Sequence, residues 1–361
     1  VRPRFHEPTR HAFHHSTRHH VKVLLGLFGL ALSAGIVVAS GRLDEVKVDP
    51  RFPTYTRTDG VTGALKSVGS DTMNNLMAFW AEGFKGHYPN VTAEIEGKGS
   101  STAPAALIEG TANFGPMSRP MKTKEVDDFR KKFGYDPIGL PMCVDMLAVF
   151  VHKDNPIEGL TMAQVDAVFS KARKLGHESD IVTWGDLGLT GEWASKQISL
   201  YGRNSASGTY GYFKEHALGN GDFKDSVKEQ PGSSGVVSGI AGEKFAIGYS
   251  GIGYRTADVK VVPLKNAGDE QFFPGEAQYG YSGEYPLARY LLVYVNHEPK
   301  SELDPLRREF IRFVYSAEGQ ALVIEDGYLP LPAVVAQRSA ATVGITLELL
   351  EEKKEKREKG R

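Results

Sequence analysis

The sequence predicts an α/β fold, an open sheet flanked by helices, on three observations. From Leu65 onward, short apolar runs of about five residues alternate with longer amphipathic ones, the rhythm of strands and crossover helices in a parallel sheet. The 361 residues include 40 glycines, which suits a chain with many strand-to-helix turns. Several of those turns share one composition, rich in Gly, Ser and Thr. An open α/β sheet gathers its strand ends along one edge, where ligands bind.

The turn at residues 202–209 is the most informative of them. It packs Arg203, three hydroxyl side chains (Ser205, Ser207, Thr209) and two glycines (Gly202, Gly208) into eight residues. The apolar-edged run 198–201 before it reads as a strand, and the run from Tyr210 reads as the opening of a helix. Such a junction points several backbone N–H groups, and the positive end of the helix, at one place. Arg203 adds a two-pronged donor, and Ser207 and Thr209 add hydroxyls. The combination suits a tetrahedral oxyanion, although Ser-Gly-Thr ahead of a helix also serves as a plain cap. Residues 68–73, with Ser70 and Thr72, repeat the arrangement, as do residues 95–102, with Ser100 and Ser101. Residues 112–120 form the fourth such turn and carry Ser118 and Arg119.

Taken in order and spacing, these turns resemble those of the periplasmic phosphate-binding proteins that serve high-affinity phosphate ABC importers. The likeness runs from about residue 65 to residue 332 and includes the segments 246–249 and 285–289. It implies a type II periplasmic-binding-protein fold: two lobes, each a mixed sheet flanked by helices, joined by two hinge crossings. It implies inorganic phosphate as ligand, permease subunits as partners, no cofactor and no enzymatic activity. Carried over, the ligand residues are Ser70 and Thr72, Ser100 and Ser101, Ser118 and Arg119, and Arg203, Ser207, Gly208 and Thr209. Familiar members place an aspartate after the Phe-Gly turn, where it accepts the proton of hydrogen phosphate and repels sulfate. This chain has Ser118-Arg119 there, so the acceptor falls to Asp71 or Asp145, or the site also takes sulfate or molybdate. A surface protein that keeps the fold without transport is a further reading.

Composition narrows the alternatives. Formal net charge is −1, and the first forty residues carry five Lys/Arg against one acid, leaving a body near −5. A mildly acidic body excludes nucleic acid as the main partner. One small anion needs only local dipoles and a buried guanidinium. Cys143, the single cysteine, lies in an apolar strand-like run and reads as a buried, inert thiol. Outside the first twenty residues the histidines (His87, His152, His177, His216, His297) stand singly, without metal-ligand spacing. No Gly-x-Ser-x-Gly elbow surrounds Ser207.

Residues 1–40 read as a signal peptide or a retained signal anchor, with a basic, His-rich start and an apolar run to Ser40. The protein is then periplasmic or secreted, or held at the membrane by that segment alone. Residues 41–64 follow as an extended arm. The first lobe comprises 65–149 plus 246–335, the second 150–245, and 336–361 form a charged C-terminal tail.

Overall fold

The computed structural model describes residues 46–351. The expected secretion segment, and the charge run beyond Glu351, lie outside them. From 46 to 62 the chain forms no helix or strand, yet it buries Phe52, Tyr55 and Val61 against the body. Then β1 (Gly63–Val68), α1 (Asn74–His87), β2 (Val91–Glu96), α2 (Ala103–Glu109), β3 (Gly115–Met117) and α3 (Thr123–Phe133) lead to β4 (Ile138–His152). Helix α1 forms because Leu76, Met77, Trp80, Ala81 and Phe84 recur on one face and are buried together. Its aromatics face the core as expected, and Trp80 Nε1 donates to Gly319 O at 2.8 Å. Phe79 is the half-buried exception.

The segment that follows contains β5 (Leu160–Thr161), α4 (Met162–Phe169), β6 (Ser199–Arg203), α5 (Gly208–Ala217), β7 (Lys228–Gln230), α6 (Ser233–Ala241) and β8 (Ala246–Gly251). The rest comprises β9 (Val259–Val261), β10 (Leu264–Lys265), α7 (Ala277–Ser282), β11 (Ala288–Val295), α8 (Pro305–Val314), α9 (Ala317–Glu325) and α10 (Ala333–Ala341). Strands β1 and β2 pair in parallel, as do β6 with β7 and β6 with β8, which is what the alternating pattern predicts.

The parallel expectation does not extend to the whole sheet. A seven-stranded sheet runs in the order β3-β11-β4-β8-β6-β7, with β9 also on β4. Every pairing made by β4 in it is antiparallel. The cause is the length of β4: its first part meets β11 and its second part meets β8 and β9, all running the other way. The sheet is therefore mixed, and β4 is buried almost throughout, from Met142 to Val151.

The C-terminal segment also departs from expectation. Residues 333–341 are helical, and Val343, Ile345 and Leu347 are buried, so the part of the expected tail from 336 to 347 belongs to the folded body. Apolar residues at alternate positions explain the packing; the charge run begins only after them.

Cys143 is fully buried, and burial raises its thiol well above the ordinary value, as an inert core thiol requires. Asp326 ends α9 with one carboxylate oxygen buried and without a hydrogen-bond partner among the described residues. Burial pushes its pKa from 3.8 up to about 7. The unfolded chain releases that proton near its ordinary value, whereas the folded chain keeps it. Stability from this group is thus complete below about pH 4 and is lost as pH rises through about 7. Asp326→Asn should melt with wild type at pH 4 and above it at pH 8, as followed by circular dichroism. Equal melting temperatures at pH 8 would show that the carboxylate is solvated.

Candidate functional site

Four of the hydroxyl-rich segments meet at one place. The chain leaves β1 into a single 3-10 turn, Asp71–Met73, and leaves β2 into another, Ser100–Thr102. The two are tied by Gly99 N donating to Gly69 O at 2.7 Å. Residues 115–117, expected as part of a turn, form the short strand β3, which delivers Ser118 from its end. From the other side β6 ends at Arg203, and Ser207 caps α5, its Oγ accepting from Tyr210 N at 3.3 Å. The first amides of α5, at Gly208 and Thr209, have no acceptor within the helix.

Ser118 sits at the centre. Its Oγ lies 3.1 Å from Ser70 Oγ, 3.2 Å from Ser100 Oγ and 3.4 Å from Thr209 Oγ1. Thr72 Oγ1 is 2.8 Å from Thr209 Oγ1, so the first turn meets α5 directly. All five side chains are buried, as is Ser207. A hydroxyl redirects its proton by rotation while its oxygen stays nearly in place, so the cluster can present several donors to one oxyanion. The approach is close. A Cβ on Gly208 would stand 2.2 Å from Ser100 Oγ and 2.6 Å from Ser118 Oγ, which only glycine avoids. Ser101, by contrast, is exposed; its amide and its Oγ both donate to Ala206 O, at 3.2 and 3.1 Å.

Three guanidiniums surround the cluster, and each is matched by one carboxylate. Arg203 is 1% exposed and donates to Ser233 Oγ at 2.7 Å and to Pro231 O at 3.1 Å. Asp71 Oδ2 lies 3.2 Å from its Nη2. Burial lowers the Arg203 pKa while Asp71 opposes the shift, and an arginine remains charged at neutral pH. Its Nε is buried without a partner among the described residues. Arg119 is held in a fork by Glu125, at 2.8 and 2.7 Å, and no hydrogen bond joins it to the hydroxyls. Arg119, which the resemblance places among the ligand residues, is therefore neutralised by Glu125, at the first turn of α3. The third guanidinium, Arg289, was absent from the expected set. It donates through Nη2 to Thr209 Oγ1 at 2.9 Å and through Nη1 to Ser118 O at 2.7 Å.

Other residues join the site from segments that the sequence reading passed over. Ser233 opens α6 after Pro231-Gly232, another Gly/Ser turn ahead of a helix, and its amide donates to Asp71 Oδ2 at 2.8 Å. That signature was present in the composition. Tyr254 and Tyr328 donate to Asp71 O at 2.9 Å and Thr72 O at 2.8 Å, fixing the first turn from behind. No local signal marks these two, since only the fold brings them there. Asp145 has both carboxylate oxygens engaged, Oδ1 by Ile252 N and Oδ2 by Arg289. Asp71 has only Oδ2 engaged among the described residues.

The chain is similar to known proteins over most of its length. A family profile described as the PBP superfamily domain matches residues 55–318. The phosphate-binding protein PstS of Pseudomonas aeruginosa is 54% identical over 314 residues, covering 87% of this chain and 96% of the relative. Protein SphX of Synechococcus elongatus is 27% identical over 269 residues, covering 73% of this chain and 77% of the relative. A Clostridium perfringens protein solved with bound phosphate superposes with a TM-score of 0.61 at 24% identity, covering 74% of this chain and all of that one. An ABC-type phosphate transport receptor from Vibrio cholerae does so with a TM-score of 0.56 at 22% identity, covering 74% of this chain and all of that one.

Proposed function

The chain belongs to the PBP superfamily, among the PstS phosphate-binding proteins, and from that premise we propose that it captures inorganic phosphate and passes it to the permease subunits of an ABC importer. It works outside the cytoplasm, in the periplasm or secreted, and it binds its ligand without turning it over. The lobes, 65–149 with 246–335 and 150–245, close on the anion. Ser70, Thr72, Ser100 and Ser118 donate from the first lobe. Thr209, the Gly208 amide and the charge of Arg203 act from the second, with Ser207 shaping the helix start. Ser101 and Arg119 serve the rim of the cleft instead, through Ala206 and Glu125.

The observation that carries this reading is the convergence of Ser70, Ser100 and Thr72 on Ser118 and Thr209, all five buried, beside paired guanidiniums. A ligand that binds only the folded protein raises its melting temperature in proportion to the logarithm of concentration. Inorganic phosphate should do so in a thermal-shift assay. A shift with sulfate or molybdate and none with phosphate would move the assignment to another oxyanion. No response to any oxyanion would favour a surface protein without transport.

Selectivity follows from Asp71. With Arg119 neutralised by Glu125, Asp71 Oδ1, which has no partner among the described residues, can accept the proton of hydrogen phosphate. Sulfate, with no proton to offer, meets that oxygen as a repulsion. Asp71→Asn keeps an acceptor for Arg203 and turns an amide donor toward the ligand. It should raise sulfate affinity relative to phosphate at least tenfold in competition titrations. An unchanged ratio would place the acceptor elsewhere.

A further inference from the structure

Arg289 has a position that binding of the anion by the four turns does not account for. Its side chain is 2% exposed, and that of its partner Asp145 is 0%. The antiparallel register of β11 and β4 sets Arg289 directly opposite Asp145. Strand β11 also pairs with β3, through Leu292 and Met117, so Arg289 stands between Asp145 on one side and the end of β3 on the other. The guanidinium is thereby oriented by the ladder: Nε donates to Asp145 Oδ2 at 2.9 Å and Nη1 to Ser118 O at 2.7 Å. Asp145 is itself steadied by Ile252 N at 3.0 Å.

What Arg289 reaches across the cleft is one face of α5. Nη2 donates to Thr209 Oγ1 at 2.9 Å, and the guanidinium lies over the Tyr212 ring, 5.1 Å from its centre. Thr209 and Tyr212 are three residues apart, hence neighbours on the helix surface. The Tyr212 hydroxyl donates back to Ala288 O at 3.0 Å, so the contact is closed in both directions. Among the hydrogen bonds of the described residues, Arg289 is the guanidinium bonded directly to the hydroxyl cluster, whereas Arg203 bonds Ser233 and Pro231 and pairs with Asp71. A threonine hydroxyl that accepts from a cation is a stronger donor in turn, since bonds in a chain polarise one another.

Building on the phosphate-capture reading above, we propose that Arg289 is the closure latch of the cleft, a positioning residue held by Asp145 that seats α5 and turns the Thr209 hydroxyl toward the anion. Ligand retention then depends on Arg289 although its own lobe is complete without the latch contacts. Lysine at this position keeps the charge beside Asp145 but lacks the planar fork needed to reach Ser118, Thr209 and Tyr212 together.

The test compares wild type, Arg289→Lys, Thr209→Val and the double variant Arg289→Lys/Thr209→Val with inorganic phosphate, by calorimetry and stopped-flow release. Arg289→Lys should bind phosphate at least tenfold more weakly, chiefly through faster release, and melt within a few degrees of wild type when ligand-free. The double variant should bind about as weakly as Thr209→Val alone, because the two side chains act as one unit. Release unchanged in Arg289→Lys, or losses that multiply in the double variant, would overturn the latch. If Arg289→Lys does not fold, Asp145→Asn/Arg289→Gln, which removes both charges of the pair, is judged by the same release criterion. Wild type that binds sulfate and not phosphate would refute the phosphate reading instead, and the latch is then judged with sulfate.

Discussion

Arg203→Ala should weaken phosphate binding by roughly 2–5 kcal/mol, the range for removing one partner of a buried, hydrogen-bonded charge pair. Three effects act together. The anion loses the cation supplied from the end of β6. Asp71 Oδ2 loses the guanidinium 3.2 Å away and faces the incoming anion as an uncompensated negative charge. Ser233 Oγ and Pro231 O, which Arg203 ties to the end of β6, lose their shared donor. Folding of the ligand-free protein should suffer less, because Asp71 keeps the Ser233 amide and its side chain is 23% exposed to water. Calorimetry on the variant measures the first quantity and a thermal melt without phosphate the second. Wild-type affinity in Arg203→Ala would show that the 202–209 turn only caps α5.

Gly99→Ala should abolish closure. Gly99 has φ +108°, and a Cβ there would stand 2.5 Å from Ala206 O and 2.8 Å from its carbonyl carbon. Those are backbone atoms of the turn leading into α5, so no side-chain rotation relieves the clash and that turn has to move away. The predicted loss of affinity is a hundredfold or more, about 3 kcal/mol. The positive φ adds a separate destabilisation of roughly 1–3 kcal/mol that falls on the folded state with or without ligand. Gly110→Ala supplies the control, because Gly110 has φ +71° and open space where the Cβ would go. It should lower the melting temperature while leaving phosphate affinity intact. Equal affinity losses in the two variants would show that strain, and not the approach to Ala206, is what matters at Gly99.

What could be read from the sequence and what could not divides along the range of the interactions. The turns carrying Ser70, Thr72, Ser100, Ser207 and Thr209 were legible because a hydroxyl-rich turn ahead of a helix is a local pattern. The parallel pairs β1–β2 and β6–β8 were legible for the same reason. The antiparallel pairings of β4 were not, since nothing local shows that one long strand meets β11 with its first part and β8 with its second. Arg289 lies in the 285–289 segment of the resemblance, yet as the second residue of β11 it shows no partner until the register sets it opposite Asp145. The neutral pairing of Arg119 does have a local signal. Glu125 stands six residues on, in the first turn of α3, where it also accepts from Lys122 N, a pattern that a search for helix caps finds.

The central claim, capture of a single phosphate between lobes, is tested most directly by calorimetric titration of protein freed of bound anions, with phosphate and with sulfate. The account predicts one phosphate per chain with a dissociation constant near micromolar or tighter, about −8 kcal/mol, and sulfate bound far more weakly. Absence of phosphate binding, with sulfate or molybdate taken up at one per chain, would contradict it.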